Sequence, residues 1–404
     1  MEETRKIVLF EEEENHVNLL PLSFTRPVSA FRVGILTIEE KWRRMFAGDY
    51  CIRPVEYLRG KFCGCTHDGH DVWHIAGNVL PDRRLVGQVE SLQPGESLVD
   101  QAGRLVAFRG TSADFGKGMT GASRRVEGVA SLQYVFDVFL NNGEQIKSDF
   151  RLLTEGRKSC PLPEGNRLIG SPVDENGNPT LFIEEGAKIE CAVINVKEGP
   201  VYIGRDASVM EMSALLGPLA LCERAKVRMG TKVYGGCTFG PYCKVGGEVD
   251  NVVMFGYSNK AHDGYLGNAV IGEWCNIGAG TNASNLKNDY SKIRIWNYAS
   301  RRFMKTDLQF CGLIMGDHSK TGVNCMFNTA TVLGVGVNVH GSGFPRVFVP
   351  SFSEGSATSG FSDVPMKKFY DIAERVMSRR GISFTDDDRA IYERVREVAS
   401  RSKQ

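Results

Sequence analysis

The chain has 404 residues, beyond the roughly 250–300 at which a single hydrophobic core stops growing, so one small module is excluded and two or more domains are expected. Hydrophobic residues at 42% and charged residues at 24% exclude a disordered or fibrous chain. The 49 basic and 48 acidic residues leave a net charge of +1, which gives no global field to draw in nucleic acid or anionic lipid. Residues 1–14 are charged and no run of about 18 apolar residues follows, which predicts a cytoplasmic protein without membrane contact. The eleven cysteines, an odd number in a long chain, read as reduced thiols.

Residues 7–10 read as a short buried strand, followed by a long loop over 11–36 and a helix opened by Thr37 and Glu40 at capping-box spacing. Residues 105–109 form a further predicted strand, so an α/β domain is expected over 1–155. In this strand–loop–helix unit Arg26, Arg32 and Lys41 stand where phosphates meet the edge of a sheet. Cys63, Cys65, His67 and His70 are zinc-type ligands within eight residues. Their Cys-x-Cys-x-His-x-x-His spacing lacks the usual gaps of a zinc site, so they read as a polar loop with reduced thiols. Pro161, Pro163, Pro172 and Pro179, with Gly165, Gly170 and Gly177 between them, mark a linker over 156–180.

The next region, 181–362, is periodic. Every sixth residue from Ile203 is apolar: Ile203, Val209, Leu215, Leu221, Val227, Val233, Phe239 and Val245. A period of six is neither the 3.6 of a helix nor the 2 of a simple strand, but it suits short strands laid along the faces of a triangular coil. Ile183 and Ile189 begin the pattern; its phase slips after Val245, recovers at Ile271 and Ile277, and returns at Phe327, Leu333 and Val339. An ordinary β-sandwich would instead show period-2 strands with turns every 8–12 residues. The segment near 282–315, with Asn285, Lys287, Tyr290, Trp296 and Tyr298, carries side chains unsuited to a narrow interior and reads as an excursion flanking a site. Beyond it, 363–404 reads as helices that cap or clasp the repeat, the second opened by Thr385 and Asp388 with an apolar face of Ile391, Val395 and Val398.

The repeat resembles the left-handed parallel β-helix of hexapeptide-repeat transferases. From Ser258 the chain reads SNKAHDGYLGNAVIGEWCNIGAGTNASN. This resembles the acetyltransferase half of the bifunctional N-acetylglucosamine-1-phosphate uridylyltransferase / glucosamine-1-phosphate acetyltransferase family, with its His-x-x-Tyr-(Leu/Ile)-Gly, Asn-Ile-Gly-Ala-Gly-Thr and following Asn. The resemblance implies His262 as general base, and Tyr265, Asn276 and Asn285 as sugar-phosphate contacts. It further implies Ala279 as a backbone contact to acetyl-CoA, Arg228 as a phosphate-binding arginine and Glu248 as an acidic group near the substrate amine. Where that family has a phosphate-contacting lysine two residues after the glutamate, this chain has Asp250. The residue types suit the chemistry: a histidine takes a proton from an ammonium at neutral pH, an arginine clamps phosphate, and neutral hydroxyl and amide groups hold the rest. A three-histidine zinc enzyme on the same kind of coil is a poor fit, because His262, His318 and His340 include no pair four or five residues apart.

More weakly, the segment LPLSFTRPVSAFRVGILTIEEKW resembles the nucleotide-binding loop of sugar-1-phosphate nucleotidyltransferases, with Thr25, Arg26, Pro27 and Lys41 in its Thr-Arg-x-x-Pro and lysine roles and Arg32 as an extra phosphate contact. The Gly-x-Gly of that loop is missing; Ser23 and Phe24 stand in its place. Taken together, the resemblances imply an N-terminal α/β nucleotidyltransferase-like domain joined to a β-helix. The implied ligands are a nucleoside triphosphate with Mg2+, a sugar phosphate and acetyl-CoA or another acyl-CoA. They also imply a homotrimer whose acyl-transfer sites lie between subunits. Asp137 and Asn78 are possible magnesium contacts that spacing does not separate from turn residues, so the metal ligands stay unassigned.

Overall fold

The computed structural model describes residues 4–64, 67, 71–116 and 121–402. The chain divides into two compact units: Met1–Leu19, Thr25–Phe31 and Leu36–Asp137 make the first, and Leu20–Phe24, Arg32–Ile35 and Val138–Gln404 make the second.

The first unit is a six-stranded sheet with helices. Its elements are β1 (Lys6–Phe10), α1 (Glu13–Asn18), α2 (Ile38–Met45), β2 (Asp49–Arg53), α3 (Arg59–Phe62), β3 (Val72–Ala76), α4 (Arg83–Glu90), β4 (Ser97–Val99), β5 (Leu105–Gly110), α5 (Ser112–Gly116) and β6 (Ser123–Arg125). The strand order is β2-β1-β3-β5-β4-β6. Both β2 and β3 pair parallel with β1, with Tyr50 and Trp73 opposite Ile7. Strand β3, between β1 on its parallel side and β5 on its antiparallel side, is buried from end to end, and β1, the middle strand of the parallel set, is buried from Ile7 on. Helix α2 opens with the expected capping box, Thr37 and Glu40 each satisfying the other's backbone N–H. Cys51 is disulfide-bonded, so the expectation of reduced thiols throughout fails at that position; Cys63 and eight others are free. Cys65 and His70 of the possible zinc cluster lie outside the described residues.

Helix α6 (Asp137–Thr154) belongs to the second unit from Val138 onward, together with the two short loop segments. The hydrogen bonds give the reason. Gly34 N–H donates to Asn142 Oδ1 at 2.7 Å, Ile35 N–H to Asp149 Oδ2 at 2.8 Å, and Thr238 Oγ1 to the Gly34 carbonyl at 3.0 Å. Composition alone assigns α6 to the N-terminal domain, because it says nothing of where a loop's backbone finds its partners.

The rest of the second unit is a left-handed parallel β-helix. One face stacks the inward residues Leu168, Ile194, Leu215, Val233, Val249 and Leu266 through successive parallel pairings. A second face stacks Ile203, Leu221, Phe239, Met254, Ile271, Met315, Leu333 and Val349. The third runs Ile189, Val209, Val227, Val245 and Lys260. The six-residue period is therefore one step around the prism per face. The slip after Val245 has two causes. The corner at Gly246–Gly247 is shortened, so Val249 follows Val245 after four residues, and Lys260 fills an interior position with a lysine. Gly247 has φ +74 and Gly264 has φ +119, and a Cβ on Gly264 would stand 2.1 Å from the Thr281 carbonyl oxygen, so neither corner tolerates a side chain.

Another corner carries large residues in the left-handed region, each costing about 1 kcal/mol or more: Arg224, Tyr242, Tyr257, Trp274 and His318, with φ between 55 and 61. The rings stack from coil to coil: Tyr242 lies 5.3 Å from Tyr257, Tyr257 4.2 Å from Trp274, and Trp274 6.1 Å from His318. This stacking offsets the backbone cost. Helices α7 (Met366–Ser378) and α8 (Asp386–Ser402) close over the end of the stack, with Phe369 and Tyr392 edge-on to His318 at 5.6 and 5.7 Å. The excursion carries an antiparallel hairpin, Arg294–Asn297 against Arg302–Lys305. Among the described residues no helix is long and apolar enough to cross a membrane.

Candidate functional site

The motif residues gather around one edge of the prism. Arg228, Gly246–Gly247, the bend at His262 and the turn at Ala279 occupy this edge on successive coils. Arg228 N–H donates to the Val245 carbonyl at 2.8 Å, Gly246 N–H to Lys260 at 2.7 Å, and Gly280 N–H to Asp263 at 2.9 Å. His262 and Arg228 are exposed and Ala279 is half-buried. With coils spaced about 4.8 Å apart, Arg228 stands two coils, on the order of 10 Å, before His262 along the edge, and Ala279 one coil after it.

Lys260 anchors the His262 bend from inside. It is 1% exposed, and its Nζ donates to the carbonyl oxygens of Gly246 and His262, each at 2.9 Å. Burial lowers its pKa to about 8, with Asp263 opposing the shift. Lys260 was not legible as important from the sequence, since its interior place becomes visible only once the shortened corner is known.

On the face that follows the edge, Lys232, Glu248 and Tyr265 are neighbours across paired strands. Lys232 Nζ meets Glu248 at 2.6 Å, which holds the lysine above its ordinary pKa. Asn285 Nδ2 donates to Tyr265 Oη at 3.0 Å and to Asn268 Oδ1 at 2.8 Å. Asp250 lies opposite Gly267 on the same pair of strands. Burial, and then the Glu248 charge, raise its carboxyl pKa, and burial followed by Asp250 raises the Tyr265 hydroxyl. Glu248, Tyr265 and Asn285 thus come together, with Lys232 and Asn268 as further members that the motif did not indicate. Asn276 does not join them. It is exposed and bridges Asn259 and Lys320 on the preceding face.

The N-terminal candidates are divided. Arg26 and Lys41 lie in the first unit, 6% and 1% exposed, while Arg32 lies in the second, its guanidinium donating to the Ile35 carbonyl. Ser23 and Phe24, in place of the missing glycines, are buried in the second unit, with Phe24 edge-on to Tyr298 at 5.4 Å. The Asp137 carboxylate accepts the N–H groups of Gln133 and Tyr134 at 2.7 and 2.9 Å, and Asn78 donates to the Leu132 carbonyl. Both therefore serve local backbone. Among the described residues no group of three His, Cys, Asp or Glu could hold a metal ion.

Residues 7–158 match the family described as sugar nucleotidyl transferase. The chain is 29% identical over 140 residues to the "Bifunctional protein GlmU" of Trichodesmium erythraeum, covering 34% of this chain and 25% of that protein. It is 30% identical over 118 residues to that of Methanocaldococcus jannaschii, covering 29% and 26%. The matches thus span about a quarter of the length of these curated relatives. A solved structure of the Francisella novicida UDP-N-acetylglucosamine acyltransferase covers 60% of this chain and 85% of its own at 12% identity, with a TM-score of 0.21. Residues 7–158 are thus similar to the sugar nucleotidyl transferase family, and over about a third of its length the chain resembles the bifunctional GlmU proteins.

Proposed function

We propose that this chain is a two-site enzyme of sugar-nucleotide metabolism, whose β-helix transfers an acyl group from coenzyme A to an amino sugar phosphate. The observation that carries the reading is the edge where the exposed His262 stands next to the Ala279 turn and beside the Tyr265–Asn285 pair. The sugar ammonium first gives up one proton to solvent to become the amine, and His262 takes a second proton from that nitrogen as it attacks the thioester carbonyl. A C–N bond forms, the C–S bond breaks, and the proton goes to the departing thiolate. The Ala279 backbone contacts the acyl-CoA, Glu248 orients the ammonium, Arg228 binds phosphate, and Tyr265, Asn276 and Asn285 hold the sugar. A homotrimer, in which a neighbouring chain packs beside this edge, is part of the proposal. Sedimentation equilibrium that returns only the monomer mass would remove the shared site.

The first unit is the nucleotidyl-transfer half of the proposal, with Arg26 and Lys41 toward the phosphates. No group of three carboxylate, histidine or cysteine side chains gathers among the described residues, so the metal ligands of this half stay unassigned. The decisive experiment is thiol release from acetyl-CoA with a panel of amino sugar phosphates, comparing wild type with His262→Ala. Release that is lost in the variant supports acyl transfer; equal release refutes His262 as the base. A second reading, a non-catalytic binding or regulatory protein with both sites decayed, is favoured by two observations. Asp250 places a carboxylate where phosphate binding calls for a cation, and Arg26 and Lys41 are buried. Absence of thiol release across the panel supports it.

A further inference from the structure

The opposite ends of the strands that lead to the His262 edge carry a second concentration of charge. A cavity of about 300 Å³ opens on the β-helix flank, lined by Asp206, Arg224, Lys226, Tyr242, Lys244 and Arg380. Lys226 and Lys244 face each other in register on adjacent parallel strands, an arrangement of like charges that destabilises a sheet unless something offsets it. Arg380, just past the end of α7, places its guanidinium 5.7 Å from the Tyr242 ring, and Arg224 lies 5.4 Å from the same ring. Arg224 also donates to Tyr242 Oη at 2.6 Å and meets Asp206 at 3.4 Å. Asp206 is the one carboxylate in the lining, set against four cations, and Glu223 meets Arg224 at 3.8 Å from outside it, so the cavity keeps an excess of about two positive charges. The Lys244 ammonium registers that excess. After burial, the groups that lower its pKa are all cations: Arg380, Lys226, Arg228 and Arg379.

A fold retains such repulsion at a cost, and an anion of matching charge removes it. A carboxylate or a lone phosphate would leave part of the excess standing, whereas a diphosphate brings two to three negative charges in a compact group. A cavity of this size holds that group with a small ring beside it. The arginines held over the Tyr242 ring offer paired N–H donors to phosphate oxygens.

We propose that this cavity is a binding site for the diphosphate group of a small molecule, separate from the His262 edge. The proposal does not depend on acyl transfer. It is tested by isothermal titration of the full-length protein with inorganic pyrophosphate, in EDTA to silence magnesium-dependent nucleotide binding and at about 50 mM salt to limit screening. Wild type should bind saturably, and Lys226→Gln/Lys244→Gln should bind at least about tenfold more weakly. The double variant should keep an undiminished urea midpoint, because it relieves repulsion rather than breaking a contact. Sulfate serves as the single-centre control, and uridine diphosphate separates the two sources of the group. Tighter uridine diphosphate binding identifies a nucleotide, and equal binding identifies the bare diphosphate; both support the site. No binding by wild type, equal binding by the double variant, or sulfate binding as tightly as pyrophosphate would each overturn it.

Discussion

The interior lysine of the β-helix gives a prediction with a calculable size. Lys260 has its pKa lowered from 10.5 to about 8, chiefly by burial. A shift of this size is worth on the order of 3 kcal/mol, from 1.36 kcal/mol per unit. The folded chain holds fewer protons than the unfolded chain between these two values, so stability rises with pH across that window and levels off above 10.5. Below pH 8 the whole cost of keeping the ammonium buried is present. Lys260→Met keeps much of the side-chain volume and removes both the charge and the two hydrogen bonds to Gly246 and His262. Each lost bond costs about 1–1.5 kcal/mol. At neutral pH the relief of about 3 kcal/mol nearly cancels the loss of about 2–3 kcal/mol, and the variant should melt close to wild type. Near pH 10.5 the relief has largely gone and the variant should be less stable by about 2–3 kcal/mol. Urea unfolding of both proteins at intervals from neutral pH to 10.5 measures the difference directly, and other titrating groups cancel in the comparison. Stability differences that stay constant across the range would refute the argument, because they would mean that the amine titrates alike in the folded and unfolded chains.

Three further outcomes are expected. His262→Ala should reduce thiol release from acetyl-CoA by about 100-fold or more without changing the unfolding midpoint, since the side chain is exposed. Asp250→Lys should tighten binding of an amino sugar phosphate by about tenfold in a titration, because it exchanges a carboxylate beside Glu248 for a cation; unchanged affinity would place the phosphate elsewhere. Phe239→Ala, at a fully buried interior position, should cost about 3–5 kcal/mol in urea unfolding, and a loss below about 1 kcal/mol would mean that the coil interior relaxes around the gap.

The β-helix was the most legible part of the chain, for a geometric reason. In a three-faced parallel coil each inward residue is separated from the next by one face and one corner, so Ile203 through Val245 repeat without a miss. The same rule hid the next coils. A four-residue step from Val245 to Val249 and a lysine at 260 break an apolar count, although the strands continue to pair in register. The motif located His262, Tyr265 and Asn285 in sequence. It gave no sign that Lys232 would pair with Glu248, because that neighbour is set by the shortened corner.

The N-terminal loop shows the opposite case, in which residue types were legible and their environment was not. Arg26, Arg32 and Lys41 read as a phosphate-binding set because arginines and a lysine after a first strand have that role at exposed sheet edges. The environment of the Arg32–Ile35 segment is set by partners far along the chain. The backbone of Gly34 and Ile35 is held by Asn142 and Asp149, more than a hundred residues later, and by Thr238 beyond them. Those three polar residues show no periodicity that would distinguish them from surface positions. A loop without its glycines therefore found partners on a helix and a β-helix strand rather than keeping its amides free for a triphosphate. The same exchange explains why Ser23 and Phe24 are buried where a nucleotide-binding loop would present bare backbone.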